Sequence, residues 1–343
     1  GGTIEVSAAA IARSFEYYGR TSLQRKASSI RFVEIEKNGD IRERMLPRID
    51  ICTETAVEPR DLRVLDSSFR AQMPVVLPRE KAIVLQLEYV RGIITAEKIM
   101  LMDPWMPTVK SIIPHLRNLT SPIEDDDRCP PFELRALEGV LIGVSSAFER
   151  QMSTLSSAIS TSLDALQIEV SKENLQRLLP LKKSLSSLTM SVGEVHSAID
   201  ELLSSDEDMS EMYLTTKLVT GHRRRVDQHQ EVELLLETYL KQIQEIENEL
   251  IAVKSSIAAS EAIAMIELDS ARNQILKMDL FLSMGTFGLT SAGVVAGIFG
   301  MNLLSGLEEH PFAFYYTTGG IGTVMILFLF GSWRVMKKHT KLL

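Results

Sequence analysis

Two long apolar runs near the end of the chain constrain its fold more than any other feature. Residues 280–299 read LFLSMGTFGLTSAGVVAGIF and residues 311–333 read PFAFYYTTGGIGTVMILFLFGSW, and neither run contains a charged residue. A helix needs about 20 such residues to cross the hydrocarbon layer of a membrane. One run alone would also suit a buried core helix. Two in tandem after a largely polar chain predict two transmembrane spans, at 280–300 and 311–333.

The charges around the two spans predict their orientation. Arg272 and Lys277 precede the first span and a basic tail at 334–343 follows the second, whereas the loop between the spans carries Glu308 and Glu309. Basic residues are retained on the side of the membrane where the chain is made. Both termini are therefore expected inside, together with the polar part of the chain, and only the short acidic loop is expected outside.

The polar part of the chain begins as an α/β domain on the inner side, at residues 31–120. Asn38-Gly39 stands between two segments of alternating polarity and predicts a hairpin. Runs of β-branched residues predict further strands at 82–90 and 98–103.

The two segments that flank this α/β domain are interpreted from their composition. Residues 1–30 are rich in Ala and Ser and carry several basic residues, which is typical of an organellar presequence remnant or a flexible arm. The stretch SPIEDDDRCPP, at 121–131, is an acidic linker by its content of Pro and Asp.

After the linker the chain takes on a helical pattern. Apolar residues recur at three- and four-residue steps over 132–228, which predicts the helical part of the inner-side domain. From 229 to the first span the steps alternate between four and three, and such a heptad seam packs against neighbouring helices. We therefore expect 229–279 to be a stalk that continues into the first span, as one helix on the order of 100 Å long.

The same rhythm continues into the first span and produces a polar stripe along one helix face. Small residues along one face, such as those in this stripe, are also found where two membrane helices simply pack together, which is the alternative interpretation. Ionisable groups near a bilayer, however, face a bundle interior or water, and carboxylates beside a hydroxyl-lined tube form a cation path. Two spans cannot enclose a pore, so several copies are expected around an axis. The predicted pore-lining residues are Asp269, Arg272, Leu276, Asp279, Ser283, Thr286, Thr290, Gly293 and Gly297.

Several other classes of protein are disfavoured. The formal net charge of −8 gives no basic footprint for nucleic acid. The two cysteines form no CxxC pair, so neither a disulfide framework nor a zinc site is expected. The sequence contains no Gly-rich phosphate loop and no nucleophile elbow, so we predict that the chain is not an enzyme and has no catalytic residues.

Short motifs give a resemblance to a known family. Gly300-Met301-Asn302 stands at the outer end of the first of two C-terminal spans, before an acidic loop, and in this position resembles the signature of the CorA superfamily of magnesium channels. Four further stretches resemble the eukaryotic Mrs-type branch, which is mitochondrial or organellar. They are PPFELRALEGVL at 130–141, DEDMSEMYLT at 206–215, EVELLLETYL at 231–240 and ELDSARNQ at 267–274.

The resemblance implies a funnel-shaped homopentameric channel. It has an α+β soluble N-terminal domain, then a long stalk helix and two C-terminal transmembrane helices. Asn302, in the outer loop 301–310, would form the outer ring that meets hydrated Mg²⁺, while Gly300 and Met301 shape the turn. Mg²⁺ prefers oxygen ligands and sheds water reluctantly, so Asn302 and the carboxylates of Asp269 and Asp279 are the expected metal ligands.

The resemblance also gives roles to other charged residues. Glu308 and Glu309 would concentrate cations outside the pore, and Arg272 would modulate passage by pairing with Asp269 or with a bound anion. Mg²⁺ is expected as the transported ion and as a candidate regulator on the inner side, with no cofactor. The weaker candidates for regulatory ligands are Asp206, Glu207, Asp208 and Glu261; a solvated, helix-capping acidic turn is the alternative interpretation of the first three.

Two alternatives to a magnesium channel stay open from the sequence. One is a channel for other divalent cations, although the absence of His and Cys along the stripe favours the harder ion. The other is a membrane-anchored coiled-coil scaffold, or a non-conducting accessory subunit of a true channel. The expected partners are further copies of this chain and membrane lipid, without nucleic acid. The mitochondrial inner membrane is the first choice of location, with plastid or endoplasmic reticulum as alternatives.

Overall fold

A computed structural model describes residues 29–65, 73–120, 130–301 and 311–340, with only the backbone described for 335–340. The chain divides into two compact units, residues 1–258 and 259–343. Several predicted features lie wholly or mostly outside the described residues. They are the presequence remnant at 1–30, the linker at 121–131, most of the outer loop with Asn302, Glu308 and Glu309, and the end of the basic tail.

The first unit contains a six-stranded antiparallel sheet with the order β2-β1-β6-β5-β4-β3. The predicted hairpin is confirmed: Gly39 adopts a φ of 83°, and the Asp40 amide donates to Asn38 Oδ1 at 2.9 Å. The strands are β1 (Ser29–Glu36), β2 (Ile41–Pro47), β3 (Val75–Pro78), β4 (Ile83–Leu87), β5 (Val90–Ile94) and β6 (Lys98–Met102).

The strand predicted at 82–90 is wrong in its length, because the chain turns at Glu88 and Tyr89. Glu88 takes a φ of 46°, a left-handed conformation that ends β4 and starts the return along β5. No Gly, Asn or Pro marks this turn, so the sequence reads as one uninterrupted strand.

The helices of the first unit cover both faces of the sheet. One face packs against α1 (Arg48–Thr55) and the short 3₁₀ turn Asp61–Arg63, in a core that includes Phe32, Ile51 and Met100. Strand β4 is buried at every position, and all of its residues except Gln86 are apolar, as expected for a buried strand. The remaining helices of this unit are α2 (Pro107–Thr120), α3 (Phe132–Ile168), α4 (Lys172–Leu203), α5 (Asp206–Glu211) and α6 (Leu214–Thr220).

Helix α7 (Gln230–Phe299) has 70 residues and continues from the first unit into the second. In its first part the apolar residues of the predicted seam are buried, as expected for a helix that packs along one side. The second unit also contains α8 (Ala313–Thr340). The buried members of the seam are Val232, Leu236, Ile243, Ile246, Leu250 and Ile257.

Two glycines allow α3 to approach α2 closely. A Cβ atom added at Gly143 would lie 2.0 Å from Cγ1 of Ile112, and one at Gly139 would lie 2.5 Å from Cδ2 of Leu116. Both distances are shorter than atoms tolerate, so the hydrogen side chain is what this helix contact requires.

We therefore predict that Gly143→Ala lowers the free energy of unfolding by about 1–3 kcal/mol, the usual cost of overpacking a core. The matched control is Gly193→Ala in α4, where a Cβ would meet only Glu247 Oε1 at 3.7 Å. That change should be neutral or should raise stability by roughly 0.5–1 kcal/mol through helix propensity. Denaturant unfolding of the full chain in detergent, followed by circular dichroism, measures both. Equal stability of the two variants would contradict the close approach.

Candidate functional site

The C-terminal part of α7 and α8 are long and apolar enough to cross a membrane, by length and composition. Almost none of this apolar surface is covered within one copy of the chain: 6% of the most apolar window in α7 is buried, and 0% of that in α8. Large side chains such as Leu282 and Ile326 are exposed. An apolar surface of this extent needs lipid or protein around it.

The two helices meet along one side of α7. The rings of Phe287 and Phe328 lie 5.6 Å apart, and a Cβ added at Gly288 would stand 3.8 Å from the Phe328 ring. Gly288 and Ala292 are four residues apart, a spacing of small residues that lets membrane helices approach. The same residues line an apolar groove between the helices.

The predicted polar stripe lies on the opposite side of α7. At 100° per residue, the mean direction of the five stripe residues from Ser283 to Gly297 is about 150° from that of the groove residues, Phe287 to Val295. Every member of the stripe from Asp269 onward is exposed in the single chain. The stripe therefore does not contact α8. Its residues recur every 3.5 positions on average, whereas an α-helix has 3.6 residues per turn, so the stripe shifts slowly around the helix.

The threonines of the stripe present their oxygen atoms outward as acceptors. Thr286 Oγ1 donates to the carbonyl of Ser283 at 2.9 Å, and Thr290 Oγ1 donates to that of Thr286 at 2.8 Å. Each hydroxyl hydrogen is thus used within the helix, and the lone pairs remain for other donors. Water molecules around a cation are such donors, so this face suits a hydrated cation better than an anion.

The charged residues of the stripe are also exposed, in the part of α7 that precedes the span. Among the described residues, Arg272 forms no ion pair with Asp269 or Asp279. No group of three or more His, Cys, Asp or Glu in the described part of the chain could hold a metal ion. Asp269 and Asp279 are ten residues apart, about 15 Å along the helix, so a site with several stripe carboxylates at one level would require several copies.

Helix α7 ends at the start of the Gly-Met-Asn motif. The amide of Gly300 donates to Ala296 O at 2.9 Å and that of Met301 to Ile298 O at 3.3 Å, which completes the last helical turn. The helix thus places Met301 at its C-terminal end. Asn302 itself, with Glu308 and Glu309, lies outside the described residues.

The weaker regulatory candidates occupy two places. Asp206, Glu207 and Asp208 form the first turn of α5, where the Ser205 hydroxyl accepts from the Asp208 amide at 3.3 Å. Acidic residues in the first turn of a helix stabilise it through the helix dipole. This placement agrees with the alternative interpretation of these three residues as a helix-capping acidic turn. Glu261 is half-buried on α7, in the second unit.

Two acids with raised pKa values, one buried and one half-buried, were missed by sequence reasoning. Glu133 in α3 is fully buried and accepts from the Thr215 amide at 2.8 Å and from its hydroxyl at 2.5 Å, and burial raises its pKa. Glu88, at the turn between β4 and β5, accepts from the Ser191 hydroxyl at 3.0 Å. Burial is the largest cause that raises the pKa of Glu88, and the nearby negative charge of Glu194 raises this pKa further. Only tertiary packing identifies these residues, since both stand in otherwise ordinary amphipathic sequence.

The raised pKa of Glu88 predicts a dependence of stability on pH. As pH rises through the ordinary value of 4.5, the unfolded chain ionises while the folded chain keeps its proton. Folding stability is therefore lost from there until pH exceeds the folded pKa. Glu88→Gln keeps an acceptor for Ser191 and removes this loss. We expect its melting temperature, relative to wild type, to increase with pH across that window and then to level off.

Thermal unfolding of the full chain in detergent between pH 4 and 8 checks this, with the exposed Glu249→Gln as the matched control. A difference between Glu88→Gln and wild type that stays constant with pH, or that shrinks as pH rises, would contradict the raised pKa of this half-buried carboxyl.

Comparison with known proteins assigns the chain to a family. The family model described as "Magnesium transporter MRS2-like" matches residues 31–272. The mitochondrial inner membrane magnesium transporter mrs2 of Schizosaccharomyces pombe is 36% identical over 294 residues, which cover 84% of this chain and 70% of that protein. LPE10 of Yarrowia lipolytica, which has the same description, is 34% identical over 276 residues, covering 79% and 60%.

Solved structures support the fold. The CorA magnesium transporter of Methanocaldococcus jannaschii superposes with a TM-score of 0.57 at 14% sequence identity, and the match covers 90% of this chain and 98% of that one. An α+β domain followed by a long helix and a C-terminal helix is therefore the CorA fold, as predicted. The family consists of ion transporters, which agrees with the prediction that the chain is not an enzyme. The chain belongs to the MRS2-like family of magnesium transporters.

Proposed function

We propose that this chain conducts Mg²⁺ across a membrane along a path enclosed by several copies of itself, driven by the membrane potential. The observation that carries the proposal is the exposed stripe on α7, which points away from α8 and presents hydroxyl oxygens in line with Asp269 and Asp279. Such a face is unfavourable against lipid. It is favourable around a column of water and cations.

Magnesium is the ion that the side chains and the relatives favour together. The relatives named above are described as magnesium transporters. The stripe offers hydroxyl and carboxylate oxygens, with neither His nor Cys, and such oxygens are the ligands of hard cations. A hydrated ion would exchange hydrogen bonds with the threonine hydroxyls without losing its inner water shell.

Cyclic association would place α7 inside and α8 outside. The stripe and the α8 contact lie on opposite sides of α7, so a ring of copies satisfies both at once. Exposed apolar side chains before the span, among them Ile263, Ile266 and Ile275, would be covered by neighbouring copies. The resemblance to CorA channels supports five copies in a funnel, with 31–228 as the inner-side domain and 229–279 as the stalk.

The outer mouth would be built from the Gly-Met-Asn turn. Helix α7 ends at this motif, so the Asn302 side chains of a ring of copies would stand at the end of the path. Their amide oxygens would accept from the water shell of an arriving ion. Glu308 and Glu309 would raise the local cation concentration outside.

The inner end of the path would carry the charged rings. A ring of Asp269 would attract cations, and a ring of Arg272 close by would oppose them, so Arg272 would limit the rate unless it is paired. We further propose that Mg²⁺ on the inner side regulates conduction. The candidate ligands are Asp206, Glu207, Asp208 and Glu261. The mitochondrial inner membrane is the proposed location, because the relatives are described as proteins of that membrane.

Mg²⁺ uptake into liposomes that contain the purified full chain tests the function. Under an imposed potential that is negative on the side of the polar domain, we expect wild type to take up Mg²⁺. Asn302→Ala should reduce uptake by about tenfold or more, because every copy loses an acceptor worth about 1 kcal/mol. The matched control is Asn248→Ala, at an exposed position of α7 in the first unit, which should leave uptake unchanged.

Each other outcome favours a different alternative. If wild type takes up no Mg²⁺, the scaffold or accessory-subunit interpretation replaces the channel. Uptake that is indifferent to Asn302 would contradict the proposed mouth while leaving conduction in place. Faster uptake of Ni²⁺ or Co²⁺ than of Mg²⁺ would favour the channel for other divalent cations.

A further inference from the structure

The side of α7 that faces α8 does not pack tightly against it. A groove of about 460 Å³ separates the central parts of the two helices. Its walls are apolar and include small residues, so the helices touch at Gly288 and Phe328 while space remains beside them. Its lining includes Phe287, Gly288, Ala292, Gly320, Val324 and Phe328.

The groove lies at the depth of the hydrocarbon layer if both helices are membrane spans. Its lining falls in the middle of the runs 280–299 and 311–333. An apolar cavity of roughly 150 Å³ already binds benzene and excludes water, and this groove is about three times as large. Within a membrane, the small apolar groups available to fill it are lipid acyl chains.

Basic residues stand toward one end of the groove. Lys277 lies within about 10° of the mean direction of the groove residues on α7, and about 16 Å along the axis from Gly288. That distance is about half of the ~30 Å hydrocarbon layer, so Lys277 reaches the headgroup level when Gly288 is at the centre. Arg334 follows Phe328 on α8 by six residues, about 9 Å along the axis toward the same end, and lies about 110° around α8 from the mean direction of its groove residues. The side chains of Lys277 and Arg334 are both exposed.

We propose that the groove between α7 and α8 binds one acyl chain of an anionic phospholipid, with the lipid phosphate held by Lys277 and with Arg334 adding positive charge at the same end of the helix pair. The inference rests on the proposed function only in treating the two helices as membrane spans. An apolar chain in the groove restores the contacts that the loose packing lacks. The basic pair selects an anionic over a zwitterionic headgroup. The lipid would thus complete the interface that keeps α8 behind the polar stripe.

A phospholipid with a photoactivatable group on its acyl chain tests the site. The full chain is reconstituted in phosphatidylcholine vesicles with a trace of the probe, as phosphatidylglycerol or as phosphatidylcholine, irradiated and mapped by mass spectrometry. We expect label on both helices at the groove residues, with phosphatidylglycerol preferred. Gly288→Leu, and independently Ala292→Leu, fill the groove and should lower this label by roughly fivefold or more.

Matched variants separate the groove from the general lipid surface. Gly322→Leu adds the same side chain on a side of α8 turned away from the groove, and should leave the label unchanged. Lys277→Gln should reduce the preference for phosphatidylglycerol by roughly fivefold, as expected for one basic residue near a phosphate. Lys254→Gln, in the first unit, is its control.

Three outcomes would overturn the proposal. One is label spread evenly around both helices. A second is that Gly288→Leu and Ala292→Leu leave the labelling unchanged, although circular dichroism shows that both variants are folded. The third is a disulfide between cysteines introduced at Ser291 in one copy and Val324 in another, which would show that a second copy fills the groove. Labelling is read without ion flux, so a failure of Mg²⁺ uptake and a failure of lipid binding are distinguishable.

Discussion

The whole arrangement depends on one helix that has to satisfy two incompatible surroundings. The second half of α7 is apolar on the side that meets α8. On the other side it carries side chains with hydroxyl and carboxylate groups. Lipid would solvate the first side and would leave the second without partners for its polar groups. A single copy of the chain offers no solution, because its two spans cannot enclose the polar side. The proposed association of several copies, with the stripes inward, would resolve the conflict.

Much of this could be predicted from local pattern, because the spans and the seam are periodic. The stripe from Ser283 to Gly297 follows from residue spacing alone, as does the burial of Val232 or Leu250 on the stalk. The Asn38-Gly39 hairpin was predictable because its turn chemistry is specific. These features depend on neighbours within a turn or two of the same element, which is the range at which sequence is informative.

The features that were missed depend on contacts distant in sequence. The turn at Glu88 has no turn residue, and Ser191, which donates to its carboxylate, is 103 residues away. Glu133 is buried because Thr215 on α6 meets it. Likewise, the spacing of the stripe indicates that one face of α7 differs from the other. Only the packing of Phe287 against Phe328 shows which face of α7 contacts α8.

The stripe of α7 is proposed to face a water-filled cation path, while the opposite face of the helix is proposed to be shielded from it. The most direct measurement uses chains in which Cys52 and Cys129 are replaced by alanine and one new cysteine is introduced, by Thr290→Cys or by Val295→Cys. A positively charged, water-soluble thiol reagent is added to liposomes, and Mg²⁺ uptake is followed. We predict that the reagent blocks uptake through Thr290→Cys and has no effect on uptake through Val295→Cys. Block of Val295→Cys alone, or equal sensitivity of the two, would contradict it.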